Sequence, residues 1–121
     1  NITFNEDLSI EEYIIKYLNE VLTVPCYGNV PDLGTVGKFV TVEKVGSSTA
    51  NHIRKASIAV QSWALTRAEA DKLNEEVKPW MERLIEKNEI SRCHLDTDYN
   101  YPDLVHKRGR YQALFEVVFD L

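Results

Sequence analysis

Three histidines (His52, His94, His106), two cysteines (Cys26, Cys93) and a run of carboxylates are the residues of this 121-residue chain that could do chemistry. Cys93-His94 is the adjacent pair of metal-ligand types, but neighbouring side chains on a strand point to opposite faces. A structural zinc site wants four ligands at short loop spacings, which two distant cysteines do not supply. A cysteine nucleophile needs a base close in space rather than in sequence. Cys26 with one of the histidines is the candidate of that kind, set against a buried small hydrophobe. HLDTDYNYPD carries Asp96, Asp98, Asn100 and Asp103 at a spacing like that of a calcium loop. The central glycine and terminal glutamate of an EF-hand are missing, so it reads as a solvated acidic turn. Gly28, Gly34, Gly37 and Gly46 precede no helix start at the distance a phosphate cradle needs. HKRGR (106–110) reads as a solvated basic hairpin tip, with an acidic partner or a DNA backbone as its functional alternative. These residues lead us to expect no catalytic, cofactor or metal site.

The totals point the same way. The length fits one domain spanning residues 1–121, large enough to bury about two-thirds of its unfolded surface. The formal charge of −5 argues against a nucleic-acid binder, which needs cations to neutralise phosphates. It is compatible with a surface that DNA merely passes, where weak repulsion helps. No apolar run approaches the roughly 20 residues that cross a bilayer, and no secretory leader pattern is visible. Two reduced thiols in an intracellular protein are therefore expected, and the sequon Asn1-Ile2-Thr3 is taken as chance.

The elements that must position these residues follow from periodicity. Ser9-Ile10-Glu11-Glu12 is a capping box opening a helix whose stripe is Ile10, Tyr13, Ile14, Tyr17, Leu18, Val21 and Leu22. Pro25 stops it, and Ile15 lies off the stripe, either exposed or buried against something else. VPCY (24–27) is a short edge strand, 28–37 a loop, and KFVTVEKV (38–45) a strand. GSSTAN (46–51) reads as a flexible polar connection. The next strand, 53–65, places Ile58, Val60, Ser62 and Ala64 on one face and Ala59, Gln61 and Trp63 on the other. Thr66-Arg67-Ala68-Glu69 caps a second helix with Ala70, Leu73, Val77, Trp80, Met81 and Leu84 on its stripe. Pro79 inside it predicts a kink near residues 75–77. EISRCHLDTDYNY (89–101) is a weaker strand, PDLVHKRG (102–109) a connection, and RYQALFEVVFD (110–120) the strongest strand. That last strand is apolar on both faces, with Phe115 among the residues of one and Leu114 and Val118 on the other. A neighbouring subunit or an extra internal layer would each account for it. The order α-β-β-β-α-β-β predicts an α+β fold: an antiparallel or mixed sheet with two helices packed on one face. Trp80 reads as core; Trp63, near Arg67, reads as either core or interface.

Four segments, VPCYGNVPD, FVTVEKVGSS, SIAVQSWALTRAEADKLNEEVKPWM and RYQALFEVVFDL, resemble the tail-terminator (tail-completion) proteins of long-tailed bacteriophages and prophages. The likeness runs from about Pro25 to the C-terminus. It implies a non-enzymatic virion protein, assembled in the host cytoplasm into a ring, with six copies the number the family suggests. Such a ring caps the tail tube, ends its polymerisation and joins it to the head. Its partners would be further copies of itself, the tail tube protein and the head–tail connector or neck proteins, with DNA passing through the lumen; no cofactor and no membrane is implied. A ring closed by head-to-tail contacts needs two different complementary patches per subunit. The expected contact residues are Gly46, Ser47, Ser48, Asn51, His52, Arg54 and Lys55 in the 46–55 loop, Trp63 and Arg67 supporting it, and Phe115 on the last strand.

Three other readings compete with this one. A head-completion or neck connector differs only in its partner. A small α+β enzyme or ligand-binding domain would need Cys26, His52 and Asp98 to meet in space. An RNA-binding domain is disfavoured by acidity and by the lack of an aromatic pair flanked by cations on a central strand.

Overall fold

A computed structural model describes residues 9–33 and 37–120. Both capping boxes form. Ser9 Oγ accepts the Glu12 N–H at 3.1 Å and opens α1 (Ile10–Val21). Thr66 Oγ1 accepts the Glu69 N–H at 3.2 Å and opens α2 (Arg67–Glu82). The helix runs continuously through Pro79 into a 3-10 turn (Arg83–Glu86). Pro79 is on the solvent side of α2, so the missing hydrogen bond falls where water can serve the freed carbonyl.

The strands are β1 (Cys26–Tyr27), β2 (Phe39–Ala50), β3 (Ile53–Ala64), β4 (Ile90–Asn100) and β5 (Gly109–Phe119). They form one mixed sheet in the order β1-β2-β3-β5-β4, in which the β1–β2 pairing is parallel and the other pairings antiparallel. The fold is α+β, with the element order read from the sequence.

Alternation sorts the sheet into two faces. Val40, Val42, Ala56, Ile58, Val60, Ala113, Phe115, Val117 and Phe119 meet the α1 and α2 stripes in one core. Ile15 packs against that core and lies 3.3 Å from where a side chain on Gly28 would begin, so it is not a stray exposed residue. The opposite face carries no helix among the described residues. Leu114 and Val118 are half-buried there: Leu114 pairs with Ala59 and Thr97, and Val118 with Lys55 and Arg92. The flexible stems of such basic neighbours can shelter an apolar side chain without a further layer.

Helix α1 also guards the outer edge of the sheet. The Asn19 side chain both donates to the Cys26 carbonyl and accepts its N–H, each at 2.9 Å, standing where a neighbouring strand would. Glu11 Oε2 accepts the Lys44 N–H at 2.8 Å. At the far end, Gly109 is required sterically, since a Cβ there would sit 2.3 Å from the Thr66 carbonyl oxygen.

Candidate functional site

Residues 46–51 are not a flexible loop. β2 continues to Ala50, pairs with β3 down to Ala50↔Ile53, and turns through Asn51 and His52 alone. Both turn residues have positive φ, 51° and 65°, the backbone a two-residue type I′ hairpin turn demands. Small polar residues read as loop, but a long partner strand supplies the pairing that holds them extended. A β-bulge between Lys44 and Gly46 increases the local twist where this outer half of β2 begins, and Ser9 and Ile10 at the start of α1 share a small cleft with Ser47, Ser48 and Thr49. Residues 43–50 are exposed, and β1 pairs only with Val40 and Thr41, so the outer edge of 46–50 has no strand beside it among the described residues. This distal hairpin is cationic: Lys44, Arg54 and Lys55 lie between residues 44 and 55 with no carboxylate. Arg54 stacks its guanidinium 4.9 Å from the Phe119 ring centroid, which fixes one charge close to the hairpin turn. Gly46, Ser47, Ser48, Asn51, His52, Arg54 and Lys55 are thus gathered on one exposed structure.

The remaining expected contact residues lie elsewhere. Trp63 is paired with Phe39 at the opposite end of β3, nine residues from Arg54, or about 30 Å along a strand. It is 3% exposed, stacked on Phe39 at 5.2 Å and covered by the Arg110 guanidinium at 4.7 Å. It is a buried residue of the helix-free face and does not support the distal hairpin. Arg67, at the start of α2, is exposed at that same far end. Phe115 is fully buried in the core, so a surface role falls away.

Trp63 belongs to a polar ladder across the helix-free face. Its Nε1–H donates to Thr41 Oγ1 at 3.1 Å; Thr41 donates to Gln61 Oε1 at 3.1 Å; Gln61 donates to Gln112 Oε1 at 2.6 Å. Gln112 donates in turn to the Tyr99 hydroxyl, and Arg110 lies 4.1 Å over Tyr101. The strand register sets each of these cross-strand neighbours.

The candidate reactive groups stay apart. Cys26 is on β1 and Asp98 on β4, at opposite edges of the sheet, and His52 is at the hairpin turn. Burial pushes the thiols of Cys26 and Cys93 up to about 12, far from the thiolate a nucleophile needs. Cys93 faces the core and His94 the other side, as the alternation requires. Among the described residues no three His, Cys, Asp or Glu side chains converge as a metal site would need.

The acidic stretch is not a solvated turn. Asp96 and Asp98 lie within β4, and a bulge between Leu95 and Thr97 turns Asp98 toward α2. There it accepts from Asn74 Nδ2 at 2.7 Å and Lys78 Nζ at 3.0 Å. Asp103 is buried in the β4–β5 connection, accepting the Val105 N–H at 3.2 Å and meeting His106 Nδ1 at 2.9 Å. The basic tip is also partly committed, since Arg108 donates to the Leu33 and Gly37 carbonyls and Arg110 is stacked.

Two apolar features escaped the sequence reading. Leu104 and Val105 stand at the tip of the β4–β5 connection beside a cleft of 540 Å³, whose other walls include Leu65, Arg67 and Lys107. A groove of 390 Å³ runs between the end of α1 and α2, lined by Val21, Leu22, Pro79 and Trp80. Two aliphatics inside a turn-rich connection were the available signal for the first.

The site and fold together define an α+β domain with a cationic hairpin and apolar patches that are exposed among the described residues. No protein-family model matches the chain, and comparison with curated proteins gives no match. No helix among the described residues is long and apolar enough to cross a membrane.

Proposed function

We propose that this chain is a structural virion protein of the tail-terminator kind. Copies of it form a ring on the end of the tail tube, stop its polymerisation and present the surface to which the head joins. The protein assembles in the host cytoplasm and remains in the tail or neck of the particle. Its partners are further copies of itself, the tail tube protein and the neck proteins.

The observation that carries this reading is the distal hairpin. Native sheets block exposed edges with charge, proline or a covering element. Here α1 blocks the edge as far as Lys44, and among the described residues no strand pairs with the outer edge of residues 46–50, which are small and uncharged. Such an edge suits main-chain pairing with a partner. Its three flanking cations, in a chain of net charge −5, select an acidic one. DNA passing through the lumen meets the acidic remainder of the protein and is not held.

The test is light scattering of the purified chain, alone and after mixing with assembled tail tubes, with tube length followed by electron microscopy. Ring-sized species or tubes that cap and cease growing are expected. A chain that leaves tube growth unchanged would sink the terminator reading.

A further inference from the structure

The β4–β5 connection is built to hold a shape. Asp103 anchors it through the Val105 N–H and the His106 ring, bridges to Arg108 across the hairpin, and Lys107 takes a positive φ of 57°. This braced turn holds Leu104 and Val105 out in solvent at 83% and 82% exposure, the most exposed large hydrophobics of the described residues. Leu65, also exposed, stands across the cleft, and Arg67 and Lys107 flank it.

The groove between α1 and α2 has the opposite shape and charge. Its apolar walls are Val21, Leu22, Pro79 and Trp80, and Glu76 stands at its side. Arg83, also at the groove, is stacked 4.7 Å over Trp80 and paired with Glu86 at 3.4 Å, so its charge is met within the chain. The helical layer around it, α1, α2 and the 3-10 turn, carries nine carboxylates against five cations.

We infer that Leu104 and Val105 of one copy enter the Val21–Leu22–Pro79–Trp80 groove of a second copy of this chain, with Lys107 meeting Glu76. This rests on the ring reading and names the contact between its subunits. A copy cannot fill its own groove: Arg67 lines the cleft beside Leu104, and Pro79 is twelve residues further on, about 18 Å of helix. The two patches differ, so the contact is head-to-tail, the kind from which rings close. It is small beside a permanent interface, so assembly depends on concentration.

The test is sedimentation velocity over a concentration series with three proteins: the wild type, L104D/V105D, and Thr23→Arg, which places a bulky cation at the exposed mouth of the groove. All three substituted positions are exposed, and unchanged thermal melts confirm folding. The wild type is expected to self-associate and each variant alone to bind at least about tenfold more weakly. An equimolar mixture of the two variants forms a species of two chains and nothing larger, because one keeps its groove and the other its turn. A variant that associates as the wild type does, a mixture that stays monomeric, or a wild type monomeric throughout overturns the contact. Tail tubes separate this from the function. Variants that cap tubes normally overturn the contact alone, whereas a wild type that associates in this manner without affecting tubes overturns the terminator reading alone.

Discussion

Ser62 and Asp98 show how differently two polar side chains serve the same core. Ser62 faces the helices between Val40 and Tyr111, fully buried, and its hydroxyl finds no hydrogen-bond partner among the described residues. An unmet buried hydroxyl costs free energy, so Ser62→Ala should leave stability unchanged or raise it by up to about 1 kcal/mol in a thermal or urea melt. Asp98 is the reverse case. The hydrogen bond from Lys78 holds its carboxyl below the usual range, burial opposes this, and the Asn74 amide adds to it. Lys78 is raised in turn, chiefly by Asp98. A carboxylate depressed in the folded state stabilises fully above its unfolded pKa, and that contribution is lost as pH falls through the depressed folded value. Asp98→Asn should therefore cost about 1 kcal/mol at neutral pH and nothing in strong acid. Paired melts of the two proteins across the acid range check this; a constant difference would show that packing, not ionisation, is what Asp98 contributes.

At the scale of elements, the β2–β3 hairpin decides most. Its turn uses Asn51, which tolerates positive φ, and His52, which does so less well than glycine. His52→Gly should stabilise the domain by about 0.5 kcal/mol, read as a higher urea midpoint, while leaving the edge of residues 46–50 in place. The same hairpin marks what the sequence discloses. Both helices were legible because their caps are local: Ser9 with Glu12 and Thr66 with Glu69 sit three residues apart. The alternation of β3 and β5 was legible because each has a buried face of period two. Residues 46–50 were not, since serine, threonine and glycine become strand only through pairing with residues 53–57. Asp98 and Asp103 were misplaced for a related reason. Their partners Asn74, Lys78 and His106 meet them only after α2 docks or the connection closes. Seven of the ten expected contact residues do share the distal hairpin, because they are contiguous in the chain. Trp63, Arg67 and Phe115 were assigned by residue type, and type does not report which end or face of a sheet a side chain occupies.

For the molecule as a whole, charge is unevenly spread, cationic at the distal hairpin and acidic over the helices. On the proposed tail-terminator function, neutralising the hairpin as Lys44→Gln/Lys55→Gln should weaken tail-tube binding about tenfold at low salt, with stability within about 0.5 kcal/mol of wild type. The deficit should shrink as salt is raised; a salt-independent loss would point to shape rather than charge. The order of the strands carries a different consequence. β2–β3 and β4–β5 are each local hairpins, and they become one sheet only through the eleven residue pairs between β3 and β5, from Arg54↔Phe119 to Ala64↔Gly109. Closing that seam joins residues 45 to 65 positions apart, the costliest loop closure in the sheet, and is expected to come late in folding. A nascent chain must therefore wait for β5 to leave the ribosome before β3 has both neighbours, and until then β3 offers a bare edge of its own.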